Sequence, residues 1–185
     1  MLEYGHRPTY PRFEKDRALL EGVQRRATKM ITELKDLNYE SRLKTLKLPS
    51  LQYRRDRGDM IECYKFTHNF YSSAKPYERI ETTSRGHHLR FKKHHCRTQL
   101  RQHFFKNRVV NLWNSLPADC ADAPSLNCFK QRIDKYWKEH QYSTEPIEKM
   151  QQNTGYNPTT SRNNKRQNNI VIQAAGLRYN DEQVK

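Results

Sequence analysis

Long apolar runs are missing from this sequence. No stretch approaches the roughly 18 to 20 residues that a bilayer-spanning helix needs. The start, MLEYGHRPTYPRF, lacks the apolar centre of a secretory signal. Cysteine is sparse: Cys63, Cys96, Cys120 and Cys128 are scattered without a framework spacing. They read as reduced thiols of an intracellular protein, nuclear or cytoplasmic and not secreted. Glycine is sparse too, with six residues spread through the chain, and no Gly-x-x-x-x-Gly-Lys-Ser/Thr phosphate loop occurs. Apolar residues make up only 34% of 185, which suits one small domain with tails.

Catalytic patterns are equally thin. Asp56 and Asp59 sit three apart among Arg54, Arg55 and Arg57. Paired carboxylates can hold a metal or exchange protons, but on a helix this spacing also suits ordinary pairing with arginine on a solvated face, which is the expectation here. Asp119 and Asp122 lie in a proline-flanked loop. His87, His88, His94, His95 and Cys96 invite a zinc reading. Zinc needs about four converging ligands, however, and adjacent residues in an extended chain point to opposite faces. No catalytic residue, metal ligand or cofactor is expected in this chain.

Positive charge is what the sequence has in excess. The net is +15, and residues 141–185 hold six Lys or Arg and four Asp or Glu, so +13 falls in residues 1–140. Eight Lys or Arg and no Asp or Glu lie between Arg85 and Arg108. Such a run favours polyanions, nucleic acid before an anionic membrane surface. The candidate phosphate contacts are Arg90, Lys92, Lys93, Arg97, Arg101, Lys106 and Arg108, then Arg25, Arg26, Arg54 and Arg55. Phe91 and Phe104 are stacking candidates, Phe104 also fitting the edge of a helix. The partner would be RNA or DNA without sequence specificity, and no membrane is expected.

Helical periodicity organises residues 13–140. The first helix spans about 13–34, with Leu20, Val23, Ala27 and Met30 on its inward face. Asn38 caps a short helix over 39–46 that turns Leu43 and Leu46 inward, and Ser50 caps a long one to about residue 71 carrying Ile61. A fourth covers about 100–115. Phe105, Val109, Leu112, Trp113 and Leu116 share its apolar face, and Pro117 stops it. Ser125 caps the last, with Phe129, Ile133 and Trp137 inward. Trp113 and Trp137 read as core residues that could pack together. The fold class is therefore mainly α: a small bundle of about five helices with an irregular basic connector around residues 85–100. Residues 141–185 are rich in Asn, Gln and Thr with little to bury, so a disordered tail is expected.

Five phrases occur in order: LLEGVQRRATKMI, YESRLKTLKLPSLQYRRDRGDMIECYK, RGHHLRFKK, FFKNRVVNLWNSLP and APSLNCFKQRIDKYW. Together they resemble the region after the polymerase domain in LINE-type, non-LTR retrotransposon endonuclease–reverse transcriptases of the jockey-like kind. The likeness covers about residues 2–137, and residues 1–12 resemble the connector from the polymerase. It implies a thumb-side, C-terminal part of an RNA-directed DNA polymerase, where template–primer duplex and element RNA are held. The family's Tyr-x-Asp-Asp motif does not occur in this sequence, so no catalytic residue carries over. Magnesium would belong to the missing polymerase domain, which is itself a possible partner. HHCRT departs from the family's usual Lys, Arg, Ser and Leu, and nothing after Trp137 matches. Two other readings stay open: a truncated gene model of a full active reverse transcriptase, and a co-opted protein-interaction module.

Overall fold

A computed structural model describes residues 10, 11, 13–71, 77–80 and 86–153, with side chains through residue 151. Among these residues there are eight α-helices and no strand: α1 (Glu14–Lys29), α2 (Tyr39–Leu46), α3 (Leu51–Thr67), α4 (Gln99–Gln102), α5 (Phe105–Asn114), α6 (Ala118–Ala121), α7 (Leu126–Tyr136) and α8 (Ile147–Asn153). Short 3-10 turns cover Thr32–Leu34 and Lys138–His140. The mainly helical expectation holds.

Local chemistry sets many of the boundaries. Asn38 Oδ1 accepts from the Ser41 amide at 2.8 Å, Ser50 Oγ from Tyr53 at 3.1 Å and Ser125 Oγ from Cys128 at 3.2 Å, so each satisfies an amide left orphaned at a helix start. α2 stops where Lys47 turns left-handed, at φ 51, and Leu48 N–H closes on the Leu43 carbonyl. α3 stops at Thr67, four residues short of the expected end. There Asn69 is left-handed and Phe70 N–H closes on the Lys65 carbonyl at 3.0 Å. The expected fourth helix is two, α4 and α5, separated by His103 and Phe104. α5 has already ended at Asn114. Pro117 starts α6, its carbonyl accepting from Cys120 and Ala121.

α3 is the central element, with α1, α5 and α7 packed around it. Its inward residues Tyr53, Met60, Cys63 and Tyr64 meet Val109, Leu112, Trp113 and Leu116 from the α5 segment and Phe129, Ile133 and Trp137 from the α7 segment. Ile61 and Phe105 pack against this cluster half-buried. Phe91 lies between Tyr77 and Trp113, with parallel-stacked centroids at 4.0 Å and 5.4 Å. Trp113 also meets Phe129 and His87, whereas the ring against Trp137 is Tyr53. The two tryptophans share a core but have different ring neighbours.

Two expectations fail at the ends of the helical region. α1 buries Glu21, Gln24 and Thr28, while Val23, Ala27 and Met30 are exposed and Leu20 is half-buried. Leu46 likewise sits at the surface. Residues 141–153 are part of the fold rather than of a tail. Ile147 is fully buried, and its amide donates to Asp56 Oδ2 at 3.2 Å. Tyr10 also belongs to the fold, its hydroxyl donating to Asp56 Oδ1 at 3.3 Å. The rest of the expected connector, and residues 154–185 of the expected tail, lie outside the described residues.

Candidate nucleic-acid interface

The basic run divides into an anchored half and an exposed half. Residues 87–91 are stitched to α5. The His87 Nε2–H donates to the Trp113 carbonyl at 3.0 Å, and Trp113 Nε1–H donates to the Leu89 carbonyl at 2.8 Å. Asn114 pairs with the Phe91 backbone in both directions at 2.8 Å. Burial pushes the His87 imidazole below the usual histidine range, against the Trp113 carbonyl, whose hydrogen bond favours the protonated ring. Phe91 and Arg79 form an antiparallel bridge, with Ile80 N–H on the Arg90 carbonyl and Lys92 N–H on the Glu78 carbonyl.

Beyond Phe91 the chain runs without regular secondary structure to a bend at Arg97 and Thr98, where α4 begins. An open groove of about 700 Å3 is lined by Glu78, His94, His95, Thr98, Leu100, Arg101, Phe104, Lys106 and Asn107. A second recess of about 440 Å3 shares His94, His95 and Asn107 and adds Lys93 and Cys96. Lys92, Lys93, Arg97, Arg101 and Lys106 are all exposed. Among the described residues Glu78 is the one carboxylate in the groove lining, and it faces Lys92 Nζ at 3.4 Å and His94 Nε2 at 3.8 Å. Phe104 is 68% exposed and Leu100 73%. The groove therefore joins the exposed cations Arg101 and Lys106 to a largely exposed aromatic ring.

Other candidates lie elsewhere. Arg55 is buried, which removes it from any phosphate surface. Arg108 forms a fork with Asp59, Nε and Nη2 each at 3.1 Å from a carboxylate oxygen, and its guanidinium covers the Tyr10 and Phe105 rings. Arg54 donates to Gln24 Oε1 at 2.6 Å, and Arg90 is half-buried beside Gly86. Arg25 and Arg26 are exposed, but on α1, with Arg25 over the Tyr39 ring at 4.9 Å. Phe91, offered as a stacking surface, is part of the core. Leu100 and Asn107 also line the groove, as do His94 and His95, whose residue type alone suggests only metal ligation. Their signal was position: all four flank Phe104 in a stretch without acids.

The carboxylates Asp56 and Asp59 are buried rather than solvated. Burial pushes Asp56 up to about 6, against hydrogen bonds from Gln52, Ile147 and Tyr10 that favour its ionised form. Both groups brace the fold. The histidines scatter: His88 Nδ1 approaches Asp122 at 3.4 Å while His94 approaches Glu78. Among the described residues no three His, Cys, Asp or Glu converge. All four cysteines are free, and burial pushes Cys120 up to about 11, away from thiolate reactivity. No described helix is long and apolar enough to cross a membrane.

Compared with known protein families, curated proteins and solved structures, the chain matches none.

Proposed function

We propose that this chain is a basic, non-sequence-specific holder of RNA or DNA, descended from the post-polymerase, thumb-side region of a non-LTR retrotransposon reverse transcriptase. The observation that carries it is the set of exposed cations Lys92, Lys93, Arg97, Arg101 and Lys106, of which Arg101 and Lys106 line a groove that has one carboxylate among its described lining residues. The fold sharpens this charge by spending its acids internally: Glu21, Asp56, Asp59 and Glu62 are all buried. Exposed cations gain affinity for a phosphate backbone by releasing its condensed counterions. The five sequence phrases add the lineage. In that setting the helical region holds template–primer duplex and element RNA, and chemistry and its magnesium belong to the polymerase domain.

Fluorescence anisotropy of a labelled oligonucleotide across a salt series tests the binding. The triple variant Lys92→Glu, Lys93→Glu, Arg97→Glu should lower the slope of log affinity against log salt by roughly 2 to 3, at about 0.7 to 0.9 per phosphate contact. An unchanged slope, or no binding by the native chain at low salt, defeats the proposal.

One observation favours a second reading, a protein-interaction module. Leu19 and Val23 on α1, with Met30 at its C-terminal cap, are exposed apolar side chains on one side of the helix that a partner could cover.

A further inference from the structure

We propose that the groove takes a single strand, with an unstacked base laid on Phe104 and flanking phosphates on Arg101 and Lys106. This rests on the nucleic-acid reading above and narrows it from any polyanion backbone to unpaired RNA or DNA.

The geometry around Phe104 carries the inference. Its ring is 68% exposed, and it has no aromatic partner among the described residues. Its backbone, by contrast, is tied down. The Phe104 carbonyl accepts from Asn107 N–H at 2.9 Å and Arg108 N–H at 3.1 Å, at the start of α5. The Arg101 carbonyl accepts from Phe104 N–H at 3.3 Å and from Asn107 Nδ2 at 2.6 Å. Arg101, Phe104 and Asn107 are thus held together as one turn. An exposed ring on a backbone held by these hydrogen bonds is already in place for a flat ligand.

The chemistry of that ligand follows from its surroundings. Arg101 and Lys106 lie within a few residues on either side of the ring, and both line the same groove of about 700 Å3. Leu100, 73% exposed, adds a second apolar surface. A flat apolar group carrying negative charge at both ends is a nucleotide within a strand. In a duplex each internal base is already stacked on both faces, so using the Phe104 ring would first cost an unstacking. An unpaired strand offers its base faces without that cost, and base–aromatic stacking tolerates any sequence. The groove should therefore prefer a single strand to a duplex, and should do so through Phe104.

The test compares the full chain with its Phe104→Ala and Phe104→Trp variants, titrated against a labelled oligothymidylate of about 12 nucleotides. A blunt duplex of the same length is titrated at the same salt. Phe104→Ala should weaken single-strand binding roughly 5- to 100-fold, with little change for the duplex. Phe104→Trp should keep single-strand affinity, since indole also stacks. Circular dichroism of each variant should match the native chain, because the ring makes no core contact. An unchanged single-strand affinity in Phe104→Ala, an equal loss on both ligands, or a loss in Phe104→Trp as large as in Phe104→Ala overturns the single-strand site. In those cases salt-dependent binding would persist and the broader nucleic-acid reading would stand. No binding of either ligand by the native chain at low salt overturns both.

Discussion

α1 and α5 carry the same kind of apolar periodicity and use it in opposite ways. In α5 the stripe is the buried face: Val109, Leu112 and Trp113 are all covered. In α1 the stripe faces water, with Leu19 at 70% and Met30 at 84% exposure, and the opposite side is buried. That buried side is polar, and it is matched. Glu21 Oε1 accepts from the Tyr39 hydroxyl at 2.6 Å and from Leu51 N–H at 3.2 Å. Gln24 donates to the Pro49 carbonyl and accepts from Arg54. Thr28 Oγ1 accepts from the buried Arg42, which also donates to the carbonyls of Leu37 and Arg25. Periodicity thus establishes that a segment is helical. Which face is covered depends on what the neighbouring elements offer, and α2 and the start of α3 offer hydrogen bonds.

The largest effect should come from the apolar side of the comparison. Trp113 is fully buried against Phe91, Phe129 and His87, and its indole N–H is bonded to the Leu89 carbonyl. Trp113→Ala should cost roughly 3 to 5 kcal/mol in urea denaturation. It should also loosen residues 87–91 against α5. A loss near zero would mean that α5 is no better packed than α1, and the contrast would vanish.

The polar side gives the intermediate effect and the sharper test. Glu21→Leu places an apolar group on the inward face of α1, as a simple amphipathic reading would want. It also strips acceptors from the Tyr39 hydroxyl and the Leu51 amide. A buried donor left without an acceptor costs about 1 to 3 kcal/mol, so the variant should be destabilised by that amount. A neutral or stabilising result would show that the inward face of α1 is apolar after all.

What could be read from the sequence divides along the same line. Features decided within a few residues were legible: the caps Asn38, Ser50 and Ser125, the span of α2, and the α5 and α7 stripes that meet at Phe129, Ile133 and Trp137. Features decided by distant partners were not. Arg108 looks like any other residue of a basic run, and its loss to the surface depends on Asp59, 49 positions away. Phe91 and Phe104 are both aromatics among cations, yet Tyr77 and Trp113 bury one while the other stays 68% exposed. Ile147 is a lone apolar residue in a polar stretch, and its place depends on the Asp56 carboxylate waiting on α3. The exposed charge of residues 92–106 was readable as charge. The groove it lines was not, because that requires knowing that the chain turns back on itself between Thr98 and Phe105.

The smallest effect tests the exposed ridge itself. Leu19→Gln and Met30→Gln replace apolar side chains that lose little water contact on folding, so each should change stability by no more than about 0.5 kcal/mol. The buried side of α1 would continue to hold the helix through Glu21, Gln24 and Thr28. Urea denaturation at two protein concentrations separates the alternatives. A loss of about 2 kcal/mol or more, present at both concentrations, would show the ridge covered within the chain and would make α1 resemble α5. A loss that grows with concentration would show the ridge buried between two copies. The small, concentration-independent change expected here would leave α1 as a helix held by its polar face, with its apolar ridge open to solvent.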